Sequence, residues 1–420
     1  MDILEELEWR GAINQQTDAE GLKALLEKGP ISLYCGTDPT GDSLHVGHLI
    51  PFIVLKRFQL AGHHPYILIG GGTGAIGDPS GRSTERVLQT REQVRKNEAA
   101  LTEQMIHLFG TEDFHIVDNY DWLNKLSLLD FLRNYGKDFS VNSMLSKEAV
   151  SSRMANGISF TEFSYQILQS IDFLHLYENN NVQLQIGGAD QWGNLTDGVD
   201  LIHRKHNTAN VYGLTIPLML KADGTKFGKS AGGAVWLDPK KTSPYEFYQF
   251  WINQDDRDVV KYLKYFTFLS KEEIEELEAK VQEHPEEREA QRRLAQEVTT
   301  FVHGEKAMLE AEKISQVLFN GRISDLTADE VEQAFEKVPS VTITSDSANI
   351  VDLLVTSGIE SSKRQAREDI THGAITINGE KITDITSMID PHTSFDGRFV
   401  VIRRGKKKYT LAHVLDETQE

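Results

Sequence analysis

The stretch Ile31-Ser-Leu-Tyr-Cys-Gly36-Thr-Asp-Pro-Thr40-Gly-Asp-Ser-Leu-His45-Val-Gly-His48 decides the fold. Residues 31 to 36 form a short apolar run and read as a buried strand. Proline and glycine then punctuate a turn, and an apolar segment from about Val46 through Gln59 reads as a helix. This is a βα unit, in which the N–H groups and dipole at the helix start favour anionic oxygens. His45 and His48 stand three apart at that start, so both imidazoles face the same side. About 180 residues downstream, Lys226-Phe-Gly-Lys229-Ser230 puts two ammonium groups on a glycine-containing loop. Together the clusters read as a two-sided clamp for a triphosphate. Such a clamp stabilises charge most as pyrophosphate leaves, which points to nucleotidyl transfer.

The same strand-then-polar-loop pattern repeats outward from this unit. Pro65 to Gly70 runs into Gly71-Gly-Thr-Gly-Ala-Ile-Gly-Asp78-Pro-Ser-Gly81-Arg82, and Arg91 to Phe109 is helical. Phe114 to Val117 ends at Asp118-Asn119-Tyr120, Val182 to Ile186 runs into Gly187-Gly-Ala-Asp190-Gln191-Trp192, and Val211 to Thr215 precedes Pro217. Strands separated by helices predict an α/β fold with a Rossmann-like, doubly wound parallel sheet, its ligand at the carboxyl ends of the strands. Every motif singled out falls at such an end. Pro51 reads as a residue that presets the first helical turn.

From Pro244 to about Asn320 the chain is rich in Glu, Lys, Gln and Leu at helical spacing, so an α-helical domain is expected. The acidic run Lys271-Glu-Glu-Ile-Glu-Glu-Leu reads as a solvated face. Residues 321–349 carry Gly321, Pro339 and many Ser and Thr, and read as a linker with one short helix. From residue 350 a small α+β module is expected, with Asn378-Gly379 between alternating runs as a hairpin signal. The expected domains are therefore 1–243, 244–320 and 350–420, with 321–349 between the last two.

Composition excludes several classes. The chain has 420 residues, a formal charge of -19 and one cysteine, Cys35. Intramolecular disulfides and cysteine-based metal clusters are therefore excluded. The acidic total argues against a generic nucleic-acid binder, so any RNA contact must use local basic patches. The clusters Lys363-Arg364-Arg367 and Arg403-Arg404-Lys406-Lys407-Lys408 supply candidates, with a solvated tail as the other reading. No run approaches the roughly 18 apolar residues of a membrane span, and the acidic Met-Asp-Ile-Leu-Glu-Glu start is unlike a signal peptide, so a cytoplasmic address is expected.

One helix carries the argument about substrate. In Phe160-Thr-Glu-Phe-Ser-Tyr165-Gln-Ile-Leu-Gln169-Ser-Ile-Asp172 the residues Tyr165, Gln169 and Asp172 sit at i, i+4 and i+7 and share one face. Phe163, Ile167, Leu168, Ile171 and Leu174 cover much of the rest. A carboxylate in such a helix is costly unless it is paired or hydrogen-bonded. The alternative is a polar face turned to solvent.

His45-Val-Gly-His48 and Lys226-Phe-Gly-Lys229-Ser230 resemble the two signature motifs of the bacterial tyrosyl-tRNA synthetases, which belong to the class I aminoacyl-tRNA synthetases. The likeness extends from the first helix to the C-terminus, and residues 350–420 resemble a small S4-like RNA-binding domain. The resemblance implies tyrosine activation by ATP with Mg²⁺ carried on the nucleotide and no protein-bound metal. Transfer to tRNA(Tyr) and a homodimer whose interface lies near Phe160 are also implied. It assigns Thr40, His45, His48, Lys226, Lys229, Arg82 and Arg86 to phosphate and transition-state contacts. Tyr34 and Asp172 would meet the substrate phenol, with Asp78, Tyr165, Gln169 and Gln191 around its other end. Cys35, Gly36, Asp38, Gly47, Asp190 and Ser230 would contact ribose or adenylate, and the two basic clusters would meet tRNA. For His45 and His48 a helix-capping role is the other reading, for the lysines and arginines a solvated loop, and for Cys35 a buried small hydrophobe. No large insertion separates the motifs, so no editing site is expected.

Overall fold

A computed structural model describes residues 1–84, 87–225, 227–230, 233–405 and 408–415 of the chain. It divides into two compact units, Met1–Thr242 with Ile252–Val298, and Ser243–Trp251 with Thr299–Glu420. Among the described residues no helix is long and apolar enough to cross a membrane.

The first unit is built on a six-stranded sheet of β1 (Gln15–Gln16), β2 (Ser32–Thr37), β3 (His64–Ile69), β4 (His115–Asp118), β5 (Val182–Gly188) and β6 (Tyr212–Ile216). Their spatial order is β1-β6-β5-β2-β3-β4. Five strands run parallel, as expected, and the two-residue β1 adds an antiparallel edge. Such a short edge strand has no period of its own to be read from sequence. In β3 every residue after His64 is buried, because helices cover both faces of a parallel sheet. From β2 the chain moves outward to β3 and β4 on one side, and later to β5 and β6 on the other. The switch in direction lies between β2 and β5, where a crevice opens at the carboxyl ends.

The signature helix, Val46–Leu60, is apolar on nearly all sides and buries Val46, Leu49, Ile50, Phe52, Ile53, Val54, Leu55 and Phe58. That is the pattern of a central helix. It begins at Val46, so Pro51 falls at its sixth residue rather than in its first turn. There the ring removes the N–H that would bond the Gly47 carbonyl. Phe160–Asn180 is capped by the Ser159 side chain on Glu162 N–H and ends at Asn181 in the left-handed region.

In the second unit the strands Glu380–Ile382, Ile375–Ile377, Phe399–Arg404, Lys408–Leu415 and Ser340–Thr344 form one sheet in that order. Both its faces are covered. Val400 and Ile402 join a core with Ile350, Leu354 and Ile370, while Phe399 and Val401 join another with Ile314, Val331 and Phe335. The hairpin turns at Asn378 (φ 50) and Gly379 (φ 89), the pair of positive dihedrals that an Asn-Gly turn supplies. Segment 321–349 provides the helix Ala328–Phe335 and the strand Ser340–Thr344. That strand pairs in parallel with Lys408–Leu415, a partner some 70 residues away that local patterning does not reveal.

Candidate active site

A cavity of about 450 Å³ occupies the crevice at the switch between β2 and β5. The end of β2 brings Tyr34, Cys35, Gly36 and Asp38 to it, and the following turn brings Thr40, His45, Gly47 and His48. The glycine-rich loop after β3 adds Thr73, Asp78, Ser80 and Arg82. The helix Phe160–Asn180 adds Tyr165, Gln169 and Asp172, β5 adds Gln185, and the turn Ala189–Gln191 after it adds Asp190 and Gln191. The polar stripe of that helix thus faces the cavity, not solvent.

Arg86, Lys226, Lys406 and Lys407 lie outside the described residues, as do the side chains of Lys229 and Ser230. The backbone of Lys229–Ser230 forms a short antiparallel ladder with Gly233–Ala234. In the second unit Lys363, Arg364, Arg367 and Lys408 are exposed. Lys363 pairs with Asp352 at 2.6 Å, and Arg404 with Asp369 and Glu360 at 2.8 and 2.9 Å. The Arg403 Nε donates to the Thr376 hydroxyl at 3.1 Å.

At the signature turn capping and cavity lining coincide. His45 Nδ1 accepts from Gly47 N–H at 3.0 Å, and His48 Nδ1 accepts from His45 N–H at 3.4 Å. The rings stack with centroids 3.7 Å apart. With Nδ1 used as an acceptor, the neutral tautomer of each ring carries its proton on Nε2. Gly47 is required by this packing, since a Cβ there would stand 2.9 Å from His45 Cε1.

The floor of the cavity is a connected polar network. The Asp172 carboxylate accepts from the Trp122 indole N–H at 2.8 Å and from the Asn119 amide at 2.9 Å. Asn119 also donates to Thr73 Oγ1 at 2.9 Å, Thr73 donates to Asp38 at 2.7 Å, and the Tyr165 hydroxyl donates to Asp38 at 2.8 Å. On the other side Gln191 donates to Asp78 at 2.8 Å and Asn194 to Gln169 Oε1 at 2.9 Å. Two buried polar atoms lack a hydrogen-bond partner here, Tyr34 Oη and Gln185 Oε1. These two residues face each other in the register of β2 and β5.

Burial governs the protonation of this floor. It pushes the Asp172 carboxyl up to about 8, with the Asn119 and Trp122 hydrogen bonds opposing. Burial first, and then the Asp172 charge, hold the Tyr34 phenol well above its ordinary value. Tyr165 is raised likewise by burial and then by Asp38. The Cys35 thiol, 3 % exposed, is pushed up to about 12 by burial, so it stays protonated and behaves as a small hydrophobe that also lines the cavity.

The site also uses Asn119, Thr73, Trp122, Gln185 and Asn194, which the sequence motifs do not single out. Asn119 and Thr73 did carry a signal, since each lies just past the carboxyl end of a predicted strand. Trp122, Gln185 and Asn194 had none, because an indole, a strand Gln or a helix Asn is usually ordinary packing.

A doubly wound sheet with paired imidazoles at the first βα turn and a lysine loop after the last strand defines a class I aminoacyl-tRNA synthetase. A family model described as tRNA synthetases class I (W and Y) matches residues 26–320, and one described as the tyrosine--tRNA ligase SYY-like C-terminal domain matches residues 330–412. The tyrosine--tRNA ligase of Limosilactobacillus fermentum is 70% identical over 415 residues, covering 99% of this chain and 100% of that protein. That of Limosilactobacillus reuteri is 68% identical over 415 residues, with coverage of 99% and 100%. The crystal structure of a C-terminally truncated Aspergillus nidulans mitochondrial tyrosyl-tRNA synthetase aligns at a TM-score of 0.68 with 31% identity, covering 76% of this chain and 94% of that one. The chain belongs to the tyrosine--tRNA ligase family.

Proposed function

We propose that the chain activates L-tyrosine with MgATP and transfers the tyrosyl group to the 3′-terminal adenosine of tRNA(Tyr). The observation that carries this reading is the buried, unpartnered Tyr34 hydroxyl beside Asp172, in the cavity that His45 and His48 also line. A substrate phenol satisfies both groups. The Asp172 carboxyl, which already accepts two hydrogen bonds, still has a lone pair for a third. Phenylalanine would leave the buried Tyr34 hydroxyl unpaired, which is costly.

In the first step the tyrosine carboxylate attacks the α-phosphorus in line, the bond to the bridging oxygen breaks, and pyrophosphate departs. In the second, a ribose hydroxyl of the terminal adenosine attacks the acyl carbonyl and AMP leaves. No protein nucleophile takes part, so rate acceleration comes from positioning and charge stabilisation. His45 and His48 donate from Nε2 to phosphate or ribose oxygens. Thr40, Lys226, Lys229, Arg82 and Arg86 follow the leaving pyrophosphate. Tyr165, Gln169, Asp78 and Gln191 hold the α-ammonium end. Cys35, Gly36, Asp38, Gly47, Asp190 and Ser230 bound the ribose and adenylate.

In this reading residues 1–243 are the catalytic part, 244–320 an anticodon-side helical part, and 350–420 an RNA-binding part, in a cytoplasmic homodimer. The exposed Lys363, Arg364, Arg367 and Lys408 support the RNA contact. Phe160, 74 % exposed at the start of a helix, with Leu128 and Leu129 also exposed, supports a second copy as its cover. Phe160→Asp should then sediment as a monomer. Amino-acid-dependent ATP–pyrophosphate exchange with tyrosine, tryptophan and phenylalanine in parallel tests the activity, and absence of exchange with tyrosine overturns it.

A further inference from the structure

The helix Asp256–Phe266 is tied to both signature motifs. Near its start the Asp258 carboxylate, 4 % exposed, accepts from Ala222 N–H at 3.0 Å, and Lys261 donates to the Leu220 carbonyl. These bonds hold the segment that follows β6 and leads into the lysine loop. Further along, Tyr262 and Phe266 receive the ring of Phe227, which lies between the two lysines in sequence, with centroids 4.9 and 5.1 Å away. Gly228, at φ +101, then passes so close to the signature turn that a Cβ would stand 3.3 Å from Gly47 N.

The other end of this helix is held by two buried arginines. Arg57 donates to the Lys264, Tyr265 and Thr267 carbonyls at 3.1, 3.3 and 2.6 Å. Arg10 donates to those of Lys264, Thr267 and Leu269 at 2.9, 3.3 and 2.7 Å. Glu6 Oε1 accepts from both, at 2.8 Å from Arg10 and 3.3 Å from Arg57. Arg57 belongs to the signature helix, whose first turn carries His48. Helix C-terminal carbonyls need partners and favour cations. A glycine cap would satisfy them without burying two like charges against one carboxylate. What the guanidiniums add is a fixed spacing, since each rigid fork reaches several carbonyls at once.

We propose that Arg10 and Arg57 at the C-terminal end of this helix, with Asp258 near its start and the Phe227 seat on Tyr262 and Phe266, are positioning residues. They keep the lysine loop in register with His45 and His48 for the ATP step. The inference rests on the reading of the site as tyrosine-activating. Arg10, Arg57 and Asp258 do not line the cavity, so any effect of theirs on the reaction is indirect.

The test is single-turnover adenylate formation by the full chain carrying Arg57→Gln, Asp258→Asn or both, with equilibrium tyrosine binding measured in parallel. Each single change should slow the ATP step by about 10- to 100-fold, the scale of a 1 Å misplacement, and leave tyrosine affinity unaltered. The double change should slow it by less than the product of the two, because both act through one helix. Unchanged rates, multiplicative losses, or tyrosine affinity falling in step with rate would overturn the proposal. Should Arg57→Gln not fold, Asp258→Asn decides: an unaltered rate rejects the register role. Wild-type exchange with tyrosine, run alongside, separates failure of this inference from failure of the functional reading.

Discussion

The Asn119 side-chain amide donates one hydrogen to Asp172 and the other to Thr73, each at 2.9 Å, while its oxygen accepts from Gly72 N–H at 2.8 Å. The oxygen also accepts from Thr73 N–H at 3.4 Å, so four hydrogen-bonding valences of the side chain are used, and the residue is fully buried. One side chain therefore joins the carboxylate at the floor of the cavity to the Thr73–Asp38–Tyr165 chain along its wall. A group so held fixes the direction of the carboxylate before any substrate arrives.

Replacing Asn119 by Ala strands Asp172 Oδ2 and Gly72 N–H. The expected cost is roughly 1–3 kcal/mol of stability together with a higher KM for tyrosine. Urea unfolding and pyrophosphate exchange at varied tyrosine measure the two. An unaltered KM would mean that Trp122 alone orients the carboxylate.

Tyr34→Phe should behave in the opposite way in the empty protein. Its hydroxyl is buried without a partner, so removal is expected to leave stability unchanged or raise it by up to about 1 kcal/mol. Tyrosine binding should weaken by a similar amount, and discrimination against phenylalanine should fall. A clear loss of thermal stability would show that the hydroxyl is satisfied in the free enzyme.

The Asp172 carboxyl stands near 8 in the folded chain, against about 3.9 in an unfolded one. The folded state thus keeps a proton that the unfolded state releases. The stability this contributes is full below about pH 4 and is lost as pH rises to about 8. Between pH 5 and 8 the wild type should lose about 1 kcal/mol per pH unit more than Asp172→Asn. Parallel slopes in denaturation curves of the two would place the carboxylate charged throughout.

Lys229→Ala should slow adenylate formation by roughly 10², the scale of losing one transition-state donor, with tyrosine affinity little changed. Rapid-quench measurement of the activation step decides it. A rate equal to wild type would remove Lys229 from the site.

Arg364→Glu combined with Arg367→Glu should spare pyrophosphate exchange and impair tRNA charging. The salt dependence of tRNA binding should become shallower as phosphate contacts are lost. Normal charging by this variant would reject that face as the RNA contact. Substitution is the sharper route here, because cutting at residue 349 would part Ser340–Thr344 from the sheet to which it belongs.

Much was legible in the chain because the informative patterns were local. Helix 91–109 and the Asn378-Gly379 turn followed from periodicity and turn chemistry between near neighbours. The stripe Tyr165, Gln169 and Asp172 was visible because helical spacing by itself puts those residues on one face. Its direction was not, since a polar face toward solvent and one toward a cavity have the same spacing. Asn119 is unremarkable in sequence and central in the fold for the same reason: its partners lie 46 and 53 residues away.

The sequence by itself determined the βα unit at residues 31–48, the parallel sheet, the two signature motifs and the basic stretches of the last module. Each is a matter of residue type and short-range spacing. Tertiary structure alone decided which strands are neighbours. It also decided that segment 321–349 supplies a strand, and that two arginines far apart in the chain meet at the end of one helix. It set the protonation of Asp172 as well, because burial is a property of everything packed around a carboxyl and not of the residues beside it in the chain.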